Sequence, residues 1–581
     1  MKLFRHAFLL LTTVIAVGCY DYDRNMTVED IETLRDITQC FTARGKAWLT
    51  FNLQLSQPQP MTRANSYTDG DAADYAIKTL TLVLFHGAKS ASEDQLTVAS
   101  IYTMDYTPVS ETHPQVTDHT TATIEISNDN INSGDRLFFL AIANTLPEIV
   151  VGETFATLKN SILDNVSNTI DNTRYFVMSN SPLASANNGT GTVSTLTAIK
   201  ASQLYESSEG ASSNPISIYM ERAAAKVTVT ESVTPKTIAG NPDIDFSTSD
   251  IKFALYNYND RSYLVRHFDA IWLSYNNNNI RMVDSTALPN GQYRTYWSED
   301  VNYTNRNSIR TIDGWSAMSG CYYCAENTFG VDYMADANTT SVVVRIQLNG
   351  GNDFYTTSVT GSDIIYQTPA NEVSEEGTSA SSSFSRRNSS KVTSAKTIDE
   401  YLREWLMQTN AAFRSWVNSY ASGESRHVNI AVYTGDAGLT DAKVTAVTQT
   451  AQGAGSAGSN AFEALNLKTY FDNNISINYY RRGYCFYRVP IRHFTDSETP
   501  WQSAVTMTDN TATQAYASNE ENYLGRYGVV RNNWYTVNIT GVSHVGAPAI
   551  PQLTSDADDK VEQLLNTTLQ VSGWTENSSD L

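Results

Sequence analysis

Residues 47–63, AWLTFNLQLSQPQPMTR, join a strand pattern directly to a segment that cannot extend it. Over 47–55 apolar residues alternate with Trp48 and polar residues, which is the period-two pattern of a half-buried β-strand. Its apolar positions are Ala47, Leu49, Phe51, Leu53 and Leu55. Pro58 and Pro60 follow, and proline cannot donate a hydrogen bond to a β-ladder. The predicted strand therefore ends before a lone basic residue, Arg63, in small and polar surroundings.

The first 19 residues have the layout of an export signal. Lys2 and Arg5 precede the apolar run FLLLTTVIAV, which is too short to cross a bilayer. The sequence AVGC at 16–19 resembles a bacterial lipobox, in which the cysteine is acylated and becomes the new N-terminus. We therefore expect a lipid on Cys19, with ordinary signal cleavage near the same place as the alternative.

The composition is that of an exported, acidic protein. The 581 residues carry a net charge of −21 and include 33 tyrosines. Such a surface repels phosphate backbones, so we expect no nucleic-acid partner. Five cysteines are too few for a disulfide scaffold. No second apolar segment could span a membrane, so anchoring is expected through the lipid alone.

Short alternating segments, separated by turn residues, predict a mostly β protein built from sandwiches rather than from βαβ units. They lie at 78–85, 121–127, 136–143, 226–233, 341–348, 428–435, 485–494 and 535–542. One longer helix is predicted over 397–420, where Thr397 and Glu400 have capping-box spacing and an aromatic stripe indicates packing against a sheet. The Ser-rich residues 372–396 indicate an exposed loop.

Three short motifs suggest ligand chemistry, and each has a simpler interpretation. GAGSAG at 453–458 has dinucleotide-loop spacing, but the segment before it is too polar for a buried parallel strand, which favours a flexible loop. Cys321 and Cys324 have the spacing of a zinc pair without a second pair, so a local disulfide or two partly buried thiols are expected. DGDAAD at 69–74 misses the EF-hand spacing and indicates a solvated leader.

No sequence motif positively indicates a catalytic site. The eight histidines are scattered, and neither HExxH nor GxSxG occurs. A triad assembled from distant residues stays open, since sequence order does not exclude one. We expect no enzymatic activity, no metal site and no cofactor.

Five segments of the chain resemble the fimbrillins of Bacteroidales, the type V pilins. The segments keep the order that they have in that family. These segments are YMERAAAKVTVT (219–230), CYYCAENTFG (321–330), YRVPIRHF (487–494), YLGRYGVVRNNWYTVNITGVSHVGAPA (523–549) and LNTTLQVSGWTENSSDL (565–581). Within that family the chain is most similar to the structural subunit of the short, or minor, fimbriae. In YGVVRNNWY, the aromatic and β-branched residues are interpreted as core, and Arg531 as a satisfied partner in a turn.

The resemblance implies a domain plan. A signal peptide (1–19) and a propeptide (20–63) precede two tandem transthyretin-like β-sandwich domains, 64–220 and 221–560, with a few short helices. A C-terminal segment, 561–581, follows as a donor strand.

The resemblance also implies a function. The precursor is lipid-anchored at the outer membrane, an arginine-specific protease cuts between Arg63 and Ala64, and subunits polymerise by donor-strand exchange into a surface fimbria. This stalk contributes to adhesion and biofilm formation. The implied partners are further copies of the chain, the anchor and tip subunits, the protease, and receptors on host or bacterial surfaces.

Strand exchange is also reasonable from the residues alone. Removing 20–63 would take a plug strand out of a sandwich and leave an apolar groove with unpaired backbone groups, which another chain can fill. The groove-facing residues of the plug are Leu49, Phe51, Leu53 and Leu55. The predicted donor residues, which alternate with polar neighbours, are Leu565, Leu569 and Val571. A terminal strand that completes its own domain is the alternative.

Two other functions fit the same features less well. A tip adhesin would not need a donor tail, and an anchor subunit would keep its lipid and would not need Arg63. A surface glycan-binding lipoprotein would use exposed tryptophan and tyrosine rings as stacking platforms.

Processing can be tested directly, because Arg63 is the single lysine or arginine between Lys46 and Lys78. A trypsin-like cut there makes Ala64 the mature N-terminus, and Arg63→Ala is expected to leave a lipidated, monomeric precursor. N-terminal sequencing of assembled filaments checks this. Finding Cys19 or Gly45 at the N-terminus would contradict it, the latter marking a rival cut at Arg44 that leaves the plug attached.

Overall fold

The computed structural model describes residues 36–55, 68–69, 74, 76–105, 120–239, 241–274, 282–284, 287–304, 310–318, 320–351, 353–359, 362–369, 385–386, 398–419, 426–433, 441–451, 456–494, 524–555 and 565–575. Cys19, Arg63 and Ala64 lie outside these residues, as does most of the Ser-rich segment 372–396.

The chain is mostly β, as predicted. Its first fourteen strands are β1 Lys46–Leu55, β2 Thr68–Asp69, β3 Thr79–Ala88, β4 Thr97–Asp105, β5 Thr120–Ser127, β6 Asp135–Ala143, β7 Ile162–Leu163, β8 Ser167–Ile170, β9 Thr173–Phe176, β10 Met178–Asn180, β11 Leu183–Ala184, β12 Val193–Ser194, β13 Thr197–Ile199 and β14 Ile216–Arg222. The later strands are β15 Ala225–Glu231, β16 Thr237–Ile238, β17 Asn241–Asp245, β18 Ile251–Tyr256, β19 Ser262–Tyr263, β20 Tyr293–Arg294, β21 Ser316–Ala317, β22 Cys321–Cys324, β23 Ser341–Gln347, β24 Phe354–Val359, β25 Ser362–Pro369, β26 Ser385–Arg386, β27 Arg426–Tyr433, β28 Asp441–Ala451, β29 Ile475–Tyr480, β30 Tyr484–Pro490, β31 Asn533–Val542 and β32 Leu565–Thr575.

Helices are a minority and short. They are α1 Phe155–Lys159, α2 Ser208–Ala211, α3 Ile398–Thr409, α4 Ala411–Asn418, α5 Ser456–Glu463 and α6 Leu467–Asn474. None of the helices in the described part of the chain has the length and apolar character needed to cross a membrane.

An eight-stranded sheet forms the N-terminal part of the protein. Its order is β4-β3-β6-β10-β14-β1-β5, and β13 also pairs with β6. β1 is an interior strand, parallel to β14 on one side and antiparallel to β5 on the other. The alternation predicted over 47–55 is observed, since Leu49, Phe51 and Leu53 are at most 1% exposed in the N-terminal core.

Two further sheets share the core of the C-terminal part. One contains β17-β16-β31-β15-β22, with β32 beside β31 and β2 beside β32, and the other has the order β21-β18-β23-β30. Val227 and Val537 from the first sheet and Phe253 and Val344 from the second lie in one buried cluster. The two sheets therefore bury a common apolar interior.

A third hydrophobic cluster joins α3, α4 and α6 to the sheet β26-β25-β24-β29-β28-β27. The single helix predicted over 397–420 is wrong in one respect, because the helix is broken at Asn410. The backbone of Asn410 is not helical, and its side chain accepts a hydrogen bond from the N–H of Phe413 at 2.9 Å, so it caps the second helix. The aromatic stripe packs in the cluster, as predicted, through Trp405 and Trp416.

The GAGSAG segment is not wholly a loop. Residues 453–455 lie outside the described residues, whereas 456–458 begin α5. The polar segment before it is the strand β28, which is antiparallel to β27 and β29. A dinucleotide-binding βαβ unit needs a parallel strand before the loop, so this topology does not provide one.

A short connection joins β14 of the N-terminal sheet to β15 of the C-terminal sheet. β14 ends at Arg222 and β15 begins at Ala225. Ala223 and Ala224 lie between them, and both are buried. Small side chains let the two sheets approach closely here.

The interior position of β1 predicts a large stability effect in the precursor. Phe51→Ala is expected to lower the free energy of unfolding by about 3–5 kcal/mol, because it leaves a cavity in the N-terminal core. Lys46→Ala is the control, since Lys46 lies on the same strand but forms an exposed ion pair with Glu125 at 3.4 Å, and such pairs contribute below about 1 kcal/mol. Urea unfolding measures both variants, and equal effects would contradict the burial of β1.

Candidate functional site at the junction of the two sheets

The described part of the leader is fastened to the body at several points besides β1. The backbone of Trp48 exchanges two hydrogen bonds with that of Tyr205, at 2.7 and 2.9 Å. Asp36 accepts hydrogen bonds from the Ser133 hydroxyl and from the Thr38 hydroxyl and N–H, which lower the pKa of Asp36 to about 2. The described part of the predicted leader is thus an integrated element of the full chain.

The predicted donor strand lies in the sheet of its own chain. β32 is antiparallel to β31 from Leu565 opposite Val542 to Gly573 opposite Asn533. Leu569 lies opposite Val537 and is half-buried against the C-terminal core. The side chains of Leu55, Leu565 and Val571 lie outside the described residues. In this single chain, β32 therefore completes its own domain, and a donor role stays a prediction.

The far end of β32 also contacts the segment that follows the predicted cut. Thr68 and Asp69, which form β2, pair in parallel with Trp574 and Thr575. β32 thus pairs with β31 over most of its length and with β2 at its end.

The end of β1 and the end of β32 meet at the same junction. Leu55 is paired with Met220, two residues before the end of β14. The start of β31, which faces the end of β32, is tied to the same place, because Asn532 donates its N–H to the carbonyl of Ala224 at 2.7 Å. The described chain therefore ends at Leu55 and resumes at Thr68 near this junction.

Asp74 corrects the prediction of a solvated leader over 69–74. Its carboxylate is 1% exposed and forms an ion pair with Lys226 of β15 at 2.8 Å. The Tyr323 hydroxyl of β22 donates to the same carboxylate at 3.0 Å, and the Arg222 guanidinium donates to the backbone carbonyl of Asp74. A carboxylate can be buried when it is paired in this way. The ammonium of Lys226 also lies 3.9 Å from the centre of the Trp534 ring.

Two more buried ion pairs stabilise the junction. Arg531 donates to Glu326 at 2.7 Å, and both side chains are 0% exposed. Arg266 donates to Glu221 of β14 at 2.9 Å. Arg531 is paired, as predicted, but its partner comes from a distant part of the chain, and its Nε and Nη1 atoms are buried without a hydrogen-bond partner. The sequence analysis did not identify Glu221 or Glu326 as buried partners. The available signal was that each is a carboxylate in a motif of mostly apolar or small residues, YMERAAAK and CYYCAENTFG.

The cysteine pair forms no disulfide. Cys321 and Cys324 are free thiols at the two ends of β22, where a three-residue offset places them on opposite faces of the strand. Burial raises the pKa of Cys324 to about 12, so this thiol stays protonated at neutral pH. Over the described ranges, no group of three or more histidine, cysteine, aspartate or glutamate side chains could hold a metal ion.

One hydrogen-bonded chain has the residue order of a nucleophilic triad. Asp135 contacts Nδ1 of His86 at 2.7 Å, and Nε2 of His86 contacts the Thr97 hydroxyl at 3.0 Å. These residues are neighbours across β6, β3 and β4, where such contacts are ordinary cross-strand pairs. A polar cleft of about 460 Å³ lies elsewhere in the protein, and its lining residues include Glu148 and Asn168.

Two stretches of the chain match known families of fimbrial subunits. Residues 47–233 match the family described as "Major fimbrial subunit protein (FimA)", and residues 508–580 match "Major fimbrial subunit protein type IV, Fimbrillin, C-terminal". The first match begins in β1 and ends just after β15, and the second contains β31 and β32. These matches confirm the resemblance to fimbrillins and support a fimbrial subunit. They imply a cell-surface fimbrium as its location.

Several solved structures resemble much of the chain at low identity. A candidate cell-adhesion protein from Parabacteroides distasonis is 10% identical, with a TM-score of 0.36, over 92% of this chain and 98% of that one. A fimbrillin from Porphyromonas gingivalis is 12% identical, with a TM-score of 0.33, over 91% and 98%. The C-terminally truncated tip fimbrial protein of Porphyromonas gingivalis is 11% identical, with a TM-score of 0.25, over 70% and 98%. None of the curated protein sequences matches this chain.

The buried charges at the junction give a sharp stability prediction. Glu326→Gln leaves the guanidinium of Arg531 buried without its counter-charge, which is expected to cost about 3–5 kcal/mol. Asp260→Asn is the control, because Asp260 binds the exposed Arg310 at 2.6 Å, and an exposed pair contributes at most about 1 kcal/mol. Denaturant midpoints of the two variants provide the comparison, and a smaller loss for Glu326→Gln would contradict the assignment.

Proposed function

We propose that this protein is the stalk subunit of a bacterial surface fimbria. Its precursor is lipidated at Cys19 and anchored at the outer membrane, an arginine-specific protease cuts between Arg63 and Ala64, and the subunits polymerise by donor-strand exchange. The observation that carries this proposal is the interior position of β1, a leader strand on which the continuity of the N-terminal sheet depends.

Loss of β1 would leave a groove of defined shape. β1 makes five residue pairs with β14 and eight with β5, so its departure exposes two facing rows of unpaired backbone groups. The floor of that groove is the N-terminal core that Leu49, Phe51 and Leu53 now fill. A groove of this kind binds an extended segment with alternating apolar side chains.

The C-terminal strand has the features that the groove requires. β32 contains 11 residues and β1 contains 10, so their lengths match. Leu565, Leu569 and Val571 of β32 have the alternation of the plug, and we propose that they enter the groove of a neighbouring subunit. Leu569 is only half-buried in its own chain, whereas Leu49 and Phe51 are fully buried. Leu569 would therefore gain burial by changing partner.

The wider role follows from the same assembly. Two tandem transthyretin-like sandwiches, 64–220 and 221–560, would form the body of each stalk subunit. Anchor and tip subunits would bind at the ends of the filament, and receptors on host or bacterial surfaces would bind along it, which supports adhesion and biofilm formation. A tip adhesin, an anchor subunit and a glycan-binding lipoprotein remain the alternatives.

Tail variants test polymerisation. A chain without residues 561–581 is expected to be secreted and cut at Arg63 but not to extend filaments. Leu569→Asp with Val571→Asp should behave in the same way, because each charge would enter an apolar groove at a cost of several kcal/mol, on the order of the penalty for an unpaired buried charge. The readout is the ladder of detergent-resistant oligomers on gels.

Thr568→Asp with Gln570→Asp is the matched control, since the period of two places these residues on the polar face of the strand. This variant is expected to assemble at the wild-type yield. Ladders from the tail-deleted protein at wild-type yield would overturn donor-strand exchange through this segment. Degradation of the tail-deleted protein would assign the tail to its own domain.

A further inference from the structure

Two short contacts join the segment after Arg63 to the body of the protein. β2 (Thr68–Asp69) forms a parallel ladder with Trp574 and Thr575 at the end of β32. Asp74 is buried at the junction with Lys226 and Tyr323. We call Thr68, Asp69 and Asp74 the clasp.

Within the clasp, Thr68 and Asp69 pair with the end of β32, just beyond the last residue of β32 that pairs with β31. The pairing of β32 with β31 ends at Gly573 opposite Asn533, and the two residues beyond it are those that β2 binds. The clasp therefore extends the support of β32 to the end of the strand. Strand ends without a partner open first, because each terminal hydrogen bond breaks without disturbing the rest of the ladder.

The uncut chain holds β2 in place from both sides. Upstream, residues 56–67 connect β2 to β1, whose last pair is Leu55 with Met220 at the same junction. Downstream, four residues connect β2 to the buried carboxylate of Asp74. A short tether between two fixed points keeps the local concentration of β2 near β32 high.

A cut after Arg63 removes the upstream tether. β2 then becomes part of a segment with a free N-terminus, and Asp74 is the next described anchor downstream. A two-residue ladder close to a free chain end is expected to fray. The same cut that separates the plug from the body thus weakens the support of the C-terminal strand.

We propose that cleavage after Arg63 has a second effect, which is to release the end of β32 from the clasp. This inference rests on the proposed function, because it concerns how the donor strand becomes available. The clasp would couple the opening of the groove to the release of the tail. A precursor with its plug in place also holds its own tail. A cut subunit offers both an open groove and a loosened tail.

Hydrogen exchange of the full precursor tests the release. The precursor is cut with an arginine-specific protease, and N-terminal sequencing verifies that the new terminus is Ala64. Backbone amides over 565–575 are expected to exchange about tenfold faster after the cut, which corresponds to the loss of one or two net hydrogen bonds. Amides of β15, which lies on the far side of β31, are expected to keep their rates.

A second variant separates the clasp from the loss of the plug. In the uncut Arg63→Ala background, Thr68→Pro with Asp69→Pro removes the backbone donors of β2. Exchange over 565–575 is expected to rise about tenfold while exchange over 46–55 stays unchanged. Asn65→Pro with Ser66→Pro is the control in the same segment, and it is expected to leave both regions unchanged.

The outcomes distinguish this inference from the proposed function. If exchange over 565–575 is unchanged by both the cut and the Thr68 and Asp69 prolines, the clasp is wrong, even if the cut protein polymerises. If exchange rises as expected but tail variants polymerise normally, the clasp stands and donor-strand exchange through this tail fails.

Discussion

The N-terminal sheet depends on one strand that the sequence predicts to be removable. β1 joins β14 to β5, and among the described strands no other ladder connects the edge strand β5 to the rest of its sheet. Native sheets cover or blunt their edges, because unpaired backbone groups recruit other strands. An interior β1 makes the full chain self-contained, and its loss would leave a gap that another strand could fill.

Buried ion pairs help to set how the N-terminal sheet and the C-terminal sheet are placed relative to each other. The pairs Asp74 with Lys226, Glu221 with Arg266 and Glu326 with Arg531 all lie around the end of β14 and the start of β31. Burying such groups is costly unless every partner is in place, so ion pairs of this kind favour one arrangement over near alternatives more than they add stability. Residues from the segment before β3, the N-terminal sheet and the C-terminal sheet must therefore be positioned together.

Local patterns in the sequence predict much of the fold. A period of two in the apolar residues predicts the strands at 47–55, 136–143 and 341–348, and it predicts that Phe51 faces the core. Such a pattern can be recognised without knowing the partner strand. Long-range contacts were not predictable in this way. The burial of Asp74 depends on Lys226, 152 residues away, and nothing near Asp74 signals it. The break at Asn410 was missed because the apolar stripe continues across it, although an asparagine N-cap is a recognisable local signal.

The short connection from β14 to β15 has a mechanical consequence. A force applied along the chain passes from one sheet to the other through Ala223 and Ala224, with no slack loop to extend first. Hydrogen bonds in an antiparallel ladder lie perpendicular to the strands, so tension along β14 loads its bonds to β10 in shear, all at once. Tension is therefore transmitted directly between the two sheets, and the lifetime of this connection under load is set by the rate at which these bonds break rather than by equilibrium stability.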